Sequence, residues 1–175
     1  GAPAAQLIVD GLGGQSIGAT AYTQVDGKWY LEVGGYRTLS VAFTNKVNAG
    51  YDGKLSGFAP YARLAYTWSY QQGDVTLGGF LLDAKRGGVG EDWSGHVIAL
   101  TGPTDNFNDL GVSADFIYTN GDSIVTVNGL YVHERQTLHD AFAGGDASNL
   151  DNTLDSLNVK GSYWFRNTYG VSLAQ

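Results

Sequence analysis

Over three stretches of this chain the side chains sort by twos into an apolar row and a polar row, and a period of two belongs to an extended strand with two unlike faces. In 110–119 one row is Leu110, Val112, Ala114, Phe116 and Tyr118, against Gly111, Ser113, Asp115, Ile117 and Thr119. In 157–166, Leu157, Val159, Gly161, Tyr163 and Phe165 alternate with Asn158, Lys160, Ser162, Trp164 and Arg166. In 61–70, Ala62, Leu64, Tyr66, Trp68 and Tyr70 alternate with Tyr61, Arg63, Ala65, Thr67 and Ser69. The segments 75–86 and 123–138 alternate less cleanly.

Short polar punctuators divide these segments: Asp26-Gly27, Gly73-Asp74, Asn120-Gly121-Asp122 and Asn167-Thr168. Gly, Asn and Asp tolerate the positive φ of tight hairpin turns, so the first three read as hairpins and the fourth is a weaker signal. Three longer polar stretches lie between them, at about 38–56, 87–109 and 139–156. Eight strands result, at about 16–25, 28–37, 57–72, 75–86, 110–120, 123–138, 157–167 and 169–175. Most run about 10 to 16 residues, longer than the five or six of globular sheets and near the roughly 9–11 of a tilted membrane strand. Short turns alternating with long loops are the layout of outer-membrane barrels. The expected fold is all-β: an antiparallel up-and-down transmembrane β-barrel of about eight strands, or an eight-strand portion of a larger barrel, with 1–175 as a single domain or segment.

Composition agrees. Twenty-six glycines, 13% aromatic residues and 3 prolines suit many strands with tight turns and argue against disorder. No run of about 18 apolar residues is present, which excludes a spanning helix. The mean hydropathy of −0.15 does not argue against lipid, because alternating strands average out. With no cysteine, disulfides, thiolate zinc sites and Cys-x-x-Cys-His haem attachment are excluded. A formal charge of −7 speaks against nucleic acid as a partner. Gly1-Ala2-Pro3-Ala4-Ala5 has neither the basic nor the apolar region of a signal peptide, and methionine is missing throughout; a mature or excised segment is expected.

Aromatic residues gather beside the short turns: Trp29 and Tyr30, Trp68 and Tyr70, Tyr118, then Tyr163 and Tyr169. Amphipathic rings favour a membrane boundary, so these are expected as an interface belt, in contact with membrane lipid. The ordinary alternative is packing near the turns of a sandwich. The polar rows supply Arg63, Asp115, Lys160, Arg166 and Glu32, with Arg37 and Lys85 as further members. In a barrel these would line the lumen and set ion preference; in a soluble sheet they would be the solvated face.

Other constellations are weaker. Asp146, Asp151 and Asp155 offer oxygen ligands around the third loop, but their spacing lacks the order of an EF-hand, and a solvated acidic loop is the better reading. Gly102–Asp109 is judged the same way. His96, His133 and His139 are too scattered for a metal or haem site. Neither Gly11-Leu12-Gly13-Gly14 nor Gly87-Gly88-Val89-Gly90 leads into the Lys-Ser or Lys-Thr of a phosphate loop. No nucleophile elbow or catalytic pairing is found, so no enzyme activity and no cofactor are expected.

The stretches Ala4–Ser16, Tyr30–Arg37, Ser56–Tyr61 and Gly144–Asn149 resemble a group of proteobacterial outer-membrane proteins described as porin-like or cytochrome-associated barrels. The resemblance implies an integral barrel, for passive passage of small solutes or for housing a periplasmic multihaem cytochrome as partner. Similar proteins are longer and usually finish on a strand with a terminal aromatic, whereas this sequence ends Leu173-Ala174-Gln175, so truncation is expected. Two other readings remain open. Long alternating strands with exposed edges, such as 122–132, could self-associate into extracellular fibres. A soluble β-sandwich could bind carbohydrate through surface aromatics.

Overall fold

Runs of alternating, β-branched and aromatic residues give long strands here, and the turns between them fix how those strands pair. The computed structural model describes residues 16–46, 54–166 and 168–174. The Gly11–Gly14 stretch, most of the Ala4–Ser16 motif and Asn167 of the fourth turn lie outside the described residues. The elements are β1 (Ser16–Val25), β2 (Trp29–Thr38), α1 (Val41–Lys46), β3 (Lys54–Leu55), β4 (Ala59–Tyr70), β5 (Gly73–Glu91), β6 (Val97–Asn120), β7 (Ser123–Leu138), α2 (His139–Gly144), β8 (Asp151–Phe165) and β9 (Tyr169–Ala174). They form a single antiparallel sheet ordered β1-β2-β4-β5-β6-β7-β8-β9.

The short strand β3 pairs with β5 beyond the point where β4 leaves it. It therefore continues the position of β4 after a break, where Gly57 takes φ 87° and the Ser56 amide donates to the Lys85 carbonyl at 2.7 Å. The sheet thus has the eight positions that the alternation anticipates. It does not close: among the described residues β1 pairs only with β2, and β9 only with β8. The finer expectation of a complete barrel is not met in the described sheet. A sandwich needs two stacked sheets, and the described residues form one.

Several boundaries differ from the sequence expectation. The stretch 87–109 is not a loop, because β5 and β6 run on as a hairpin to Glu91 and Val97. Its tip is a turn in which Asp92 Oδ1 accepts from the Ser94 and His96 amides at 2.8 and 3.0 Å. Gly102-Pro103 falls where the β5–β6 register is irregular, between Gly87↔Thr104 and Val89↔Ala99, as suits a residue with no amide hydrogen. The stretch 139–156 holds α2 and the first part of β8. The second hairpin turns at 71–72 rather than at Gly73-Asp74, since Tyr70 pairs with Gly73. Asp26-Gly27 is a turn as expected, with φ 52° and 66°, and Gly121 has φ 56°.

At the end opposite these short turns, the loop end, the sheet holds a small core of Leu55, Ala59, Leu82, Ala84 and Phe107, with Tyr36, Tyr61 and Leu138 packed against it. The helix α2 sits at that end on a remote cap. Asp105 Oδ1 of β6 accepts from the Asp140 and Ala141 amides at 2.8 and 3.3 Å, while the residue before the helix, Leu138, offers no side-chain cap. A carboxylate at a helix start contributes about 1 kcal/mol. Asp105→Ala is therefore expected to raise hydrogen exchange at the Asp140 and Ala141 amides about fivefold, measured by mass spectrometry, with the rest of the sheet unchanged. Unchanged exchange at those amides would contradict the cap.

Candidate functional site

The register sorts every strand residue onto one of two faces. Glu32 pairs with Arg63, Arg63 with Phe80, Phe80 with Gly111 and Gly111 with Val132, so these share the face that carries the loop-end core. This inner face is arranged in tiers from the turn end upward.

Near the turn end runs a polar ladder: Thr67↔Thr76↔Asp115↔Asn128↔Lys160. The Thr67 and Thr76 hydroxyls lie 2.8 Å apart, and Asn128 Nδ2 donates to Asp115 Oδ1 at 2.6 Å. Asp115 and Lys160, read from sequence as lumen candidates, are thus members of one cross-strand row. Glu32 and Arg63 lie on the same face, higher up. Tyr30 also lies on it, where its hydroxyl donates to Glu32 Oε2 at 3.1 Å, and so departs from the expected outward belt. Arg166 is not on the face but in the last turn, at φ 52°, paired with Asp122 at 2.9 Å. Arg37 and Lys85 fall on the opposite face, by their pairing with Ile17 and Asn106.

Above the ladder the face opens into a cavity of about 450 Å³. Tyr36, Tyr61, Arg63, Phe80, Leu82 and Ser113 line it, together with Ser16, Gly18 and Leu130. Two glycines shape it. The Phe80 ring lies over Gly111 and the Tyr36 ring over Gly18, each in the space a β-carbon would occupy. An aromatic side chain can lie flat on a strand only where its cross-strand partner has no side chain. Arg63 Nη2 reaches Ser113 Oγ at 3.4 Å.

The tier level with Tyr61 and Leu82, one above Arg63, contains a carboxyl pair that the sequence reading missed. Asp109 and Glu134 are direct cross-strand neighbours, 2% and 0% exposed, beneath the Phe107 core. Gln136 Nε2 donates to Glu134 Oε1 at 2.5 Å, while both Asp109 oxygens are buried with the Glu134 carboxyl as their polar neighbour. Burial pushes the Asp109 carboxyl up to about 8, and the Glu134 charge beside it adds to the rise. The pair stands beyond the loop-side limit of the outward apolar rows, which end at Leu110 on β6 and Tyr131 on β7.

The metal candidates are not brought together. Asp151 accepts from Thr137 and Asp155 from Tyr131, and among the described residues no group of three potential ligands that includes Asp146 or any other acid is formed. His133 contacts Asp155 at 2.8 Å on the outward face.

Because Asp109 titrates near 8 in the fold against 3.8 ordinarily, the folded chain keeps a proton through that interval which the unfolded chain has released. The contribution of Asp109 to stability is then fully present below about pH 4, declines as pH rises from about 4 to about 8, and levels off above. Asp109→Asn, which stays neutral, is expected to flatten that decline in thermal unfolding midpoints taken between pH 5 and 8.5. An equal slope in the Asp109→Asn variant would contradict the assignment. Comparison with protein-family models, with curated proteins and with solved structures finds no match to this chain.

Proposed function

We propose that this chain is an integral outer-membrane β-barrel, or the wall of one, of the porin-like group its sequence resembles, and that its inner face serves passive passage of small solutes. The observation that carries this reading is the other face. Its residues run Leu64, Tyr66, Trp68, Tyr70 on β4, Leu77 and Leu81 on β5, Leu110, Val112, Ala114, Phe116 on β6, and Leu157, Val159 on β8. They are apolar yet uncovered: Leu157 is 68% exposed, Leu81 58% and Val112 53%. A monomer in water rarely leaves so continuous an apolar surface bare.

The rows have limits at both ends. Toward the loops their last apolar residues are Leu81, Leu110, Tyr131 and Leu157, and the next outward positions are Asp83, Asn108, His133 and Asp155. Toward the turns they end in Trp29, Trp68, Tyr70, Tyr118, Tyr163 and Tyr169, and Trp29, Tyr66 and Trp68 meet edge to face with centroids 4.6 Å apart. Between these limits lie about seven to nine residues per strand, at the short end of the roughly 9–11 that a tilted strand needs to cross. An aromatic girdle at the interface is the expected companion of such a band.

The edges favour the same reading. β1 (Ser16–Val25) and β9 (Tyr169–Ala174) contain no Lys, Arg, Asp, Glu or Pro, the residues that normally guard a free edge. β1 descends to the turn end and β9 ascends from it, so the two are antiparallel and fit one another as closing strands. The inner face supports passage of small solutes over the housing of a cytochrome: its ladder is polar, its cavity is about 450 Å³, and the Phe107 core narrows the loop end. The same unguarded edges favour a second reading, in which copies of the chain pair edge to edge into fibres.

Detergent separates these readings. The membrane reading expects a monodisperse chain only in detergent, with heat-modifiable migration on a gel; solubility and monodispersity in plain buffer would overturn it, and pelleting material that binds amyloid dyes would favour the second. Within the folded protein, Val112→Arg is expected to cost about 2–4 kcal/mol in lipid, against about 1 kcal/mol or less for Asn158→Arg on the inner face. Equal costs would contradict the facing.

A further inference from the structure

We infer that the inner-face cavity is a binding site for a small amphiphilic carboxylate, a compact apolar or aromatic body bearing one acid group. The inference rests on the inner face alone and holds whether or not the opposite face meets lipid.

The cavity has two unlike parts. One wall is apolar: Tyr36, Tyr61, Phe80 and Leu82. Tyr36 and Tyr61 meet edge to face at 6.0 Å, and Tyr61 and Phe80 are tilted at 6.1 Å, so the three rings form a continuous surface. The other part is the Arg63 guanidinium with the Ser113 hydroxyl 3.4 Å away. Two donors side by side on an otherwise apolar wall are the usual means of fixing a ligand's polar end.

Charge settles which polar end. Among the described residues Arg63 has no carboxylate within ion-pairing distance. Glu32, its cross-strand neighbour, holds the Tyr30 hydroxyl instead. Asp109 and Glu134 belong to the tier above, where Glu134 is engaged by Gln136. A guanidinium with five donors, which reaches the Ser113 hydroxyl at 3.4 Å and the Tyr61 hydroxyl beside it, keeps capacity for a bidentate carboxylate. Volume limits the body: about 450 Å³ lies at the small end of ligand pockets, which suits a bicyclic ring or a short acyl chain. The glycine floors under Phe80 and Tyr36 keep this space open, since a side chain at Gly111 would lift the Phe80 ring into it.

The test is a calorimetric titration of the folded full chain with 2-naphthoate and with its neutral isostere 2-naphthamide. Naphthoate is expected to bind at least about tenfold more tightly, the worth of a charge-assisted hydrogen-bond pair. Arg63→Gln is expected to abolish that preference with weak binding of both compounds retained, and Arg63→Lys to retain part of it. Ser113→Ala, a small change that leaves the rings in place, should reduce the preference without removing it. Gly111→Leu should weaken both compounds together. Circular dichroism verifies the fold of each variant. No binding of naphthoate by the natural chain, equal binding of acid and amide, or an undiminished preference in Arg63→Gln would each overturn the proposal.

Discussion

One fixed pairing register decides what every side chain in this sheet can touch. Side chains on a strand alternate, so a slip of one residue would exchange the two faces wholesale. The two-residue connections Tyr70↔Gly73 and Asn120↔Ser123 pin that register at the turn end. From there the ladder β6–β7 runs unbroken from Asn120↔Ser123 to Asp105↔Leu138. Everything functional in the account, from the bare apolar rows to the cavity and the buried acids, follows from which residues that register turns inward.

The inner face then resolves a packing problem. Small barrels fill their interior with side chains. Here the filling is graded. Polar pairs occupy the turn end, rings laid flat over glycines occupy the middle, and an aliphatic and aromatic cluster closes the loop end. The acids Asp109 and Glu134 sit under that cluster at a cost in desolvation, which the fold lowers by keeping a proton on Asp109 rather than two charges side by side. Such a pair is poorly explained as a stabilising device, because apolar residues there would pack at lower cost.

Much of this was legible in the sequence. Alternation at 61–70, 110–119 and 157–166 located three strands and their two faces, except that Arg166 falls in the turn after β8, and Asp26-Gly27 located a turn. Asp115, Lys160, Glu32 and Arg63 were assigned to the polar face that they occupy. The misplacements have physical reasons. Tyr30 follows the turn directly, like Trp29, but adjacent strand residues point to opposite faces, so the two rings could not both lie outward. The polar run 87–109 resembles a loop in composition, yet cross-strand pairing of β5 with β6 carries polar residues past the apolar band as readily as apolar ones. The Asp109–Glu134 pair was within reach: a turn closing at Asn120 and Ser123 places Asp109 opposite Glu134 by counting back along both strands. The Gly111–Phe80 and Gly18–Tyr36 stacking was not, since ring direction depends on side-chain rotamers that no spacing specifies.

The claim on which the functional reading stands is that the even-numbered residues of β6 from 110 to 118 face hydrocarbon while the odd-numbered ones face water. Because the chain has no cysteine, single cysteines can be introduced at each position in turn and spin-labelled. Collision rates with oxygen and with a water-soluble nickel chelate, measured in lipid vesicles, read the two environments directly. A period of two is expected, with oxygen favoured at 110, 112, 114 and 116 and nickel favoured at 111, 113 and 115. Nickel access at every position, with no alternation, would contradict it.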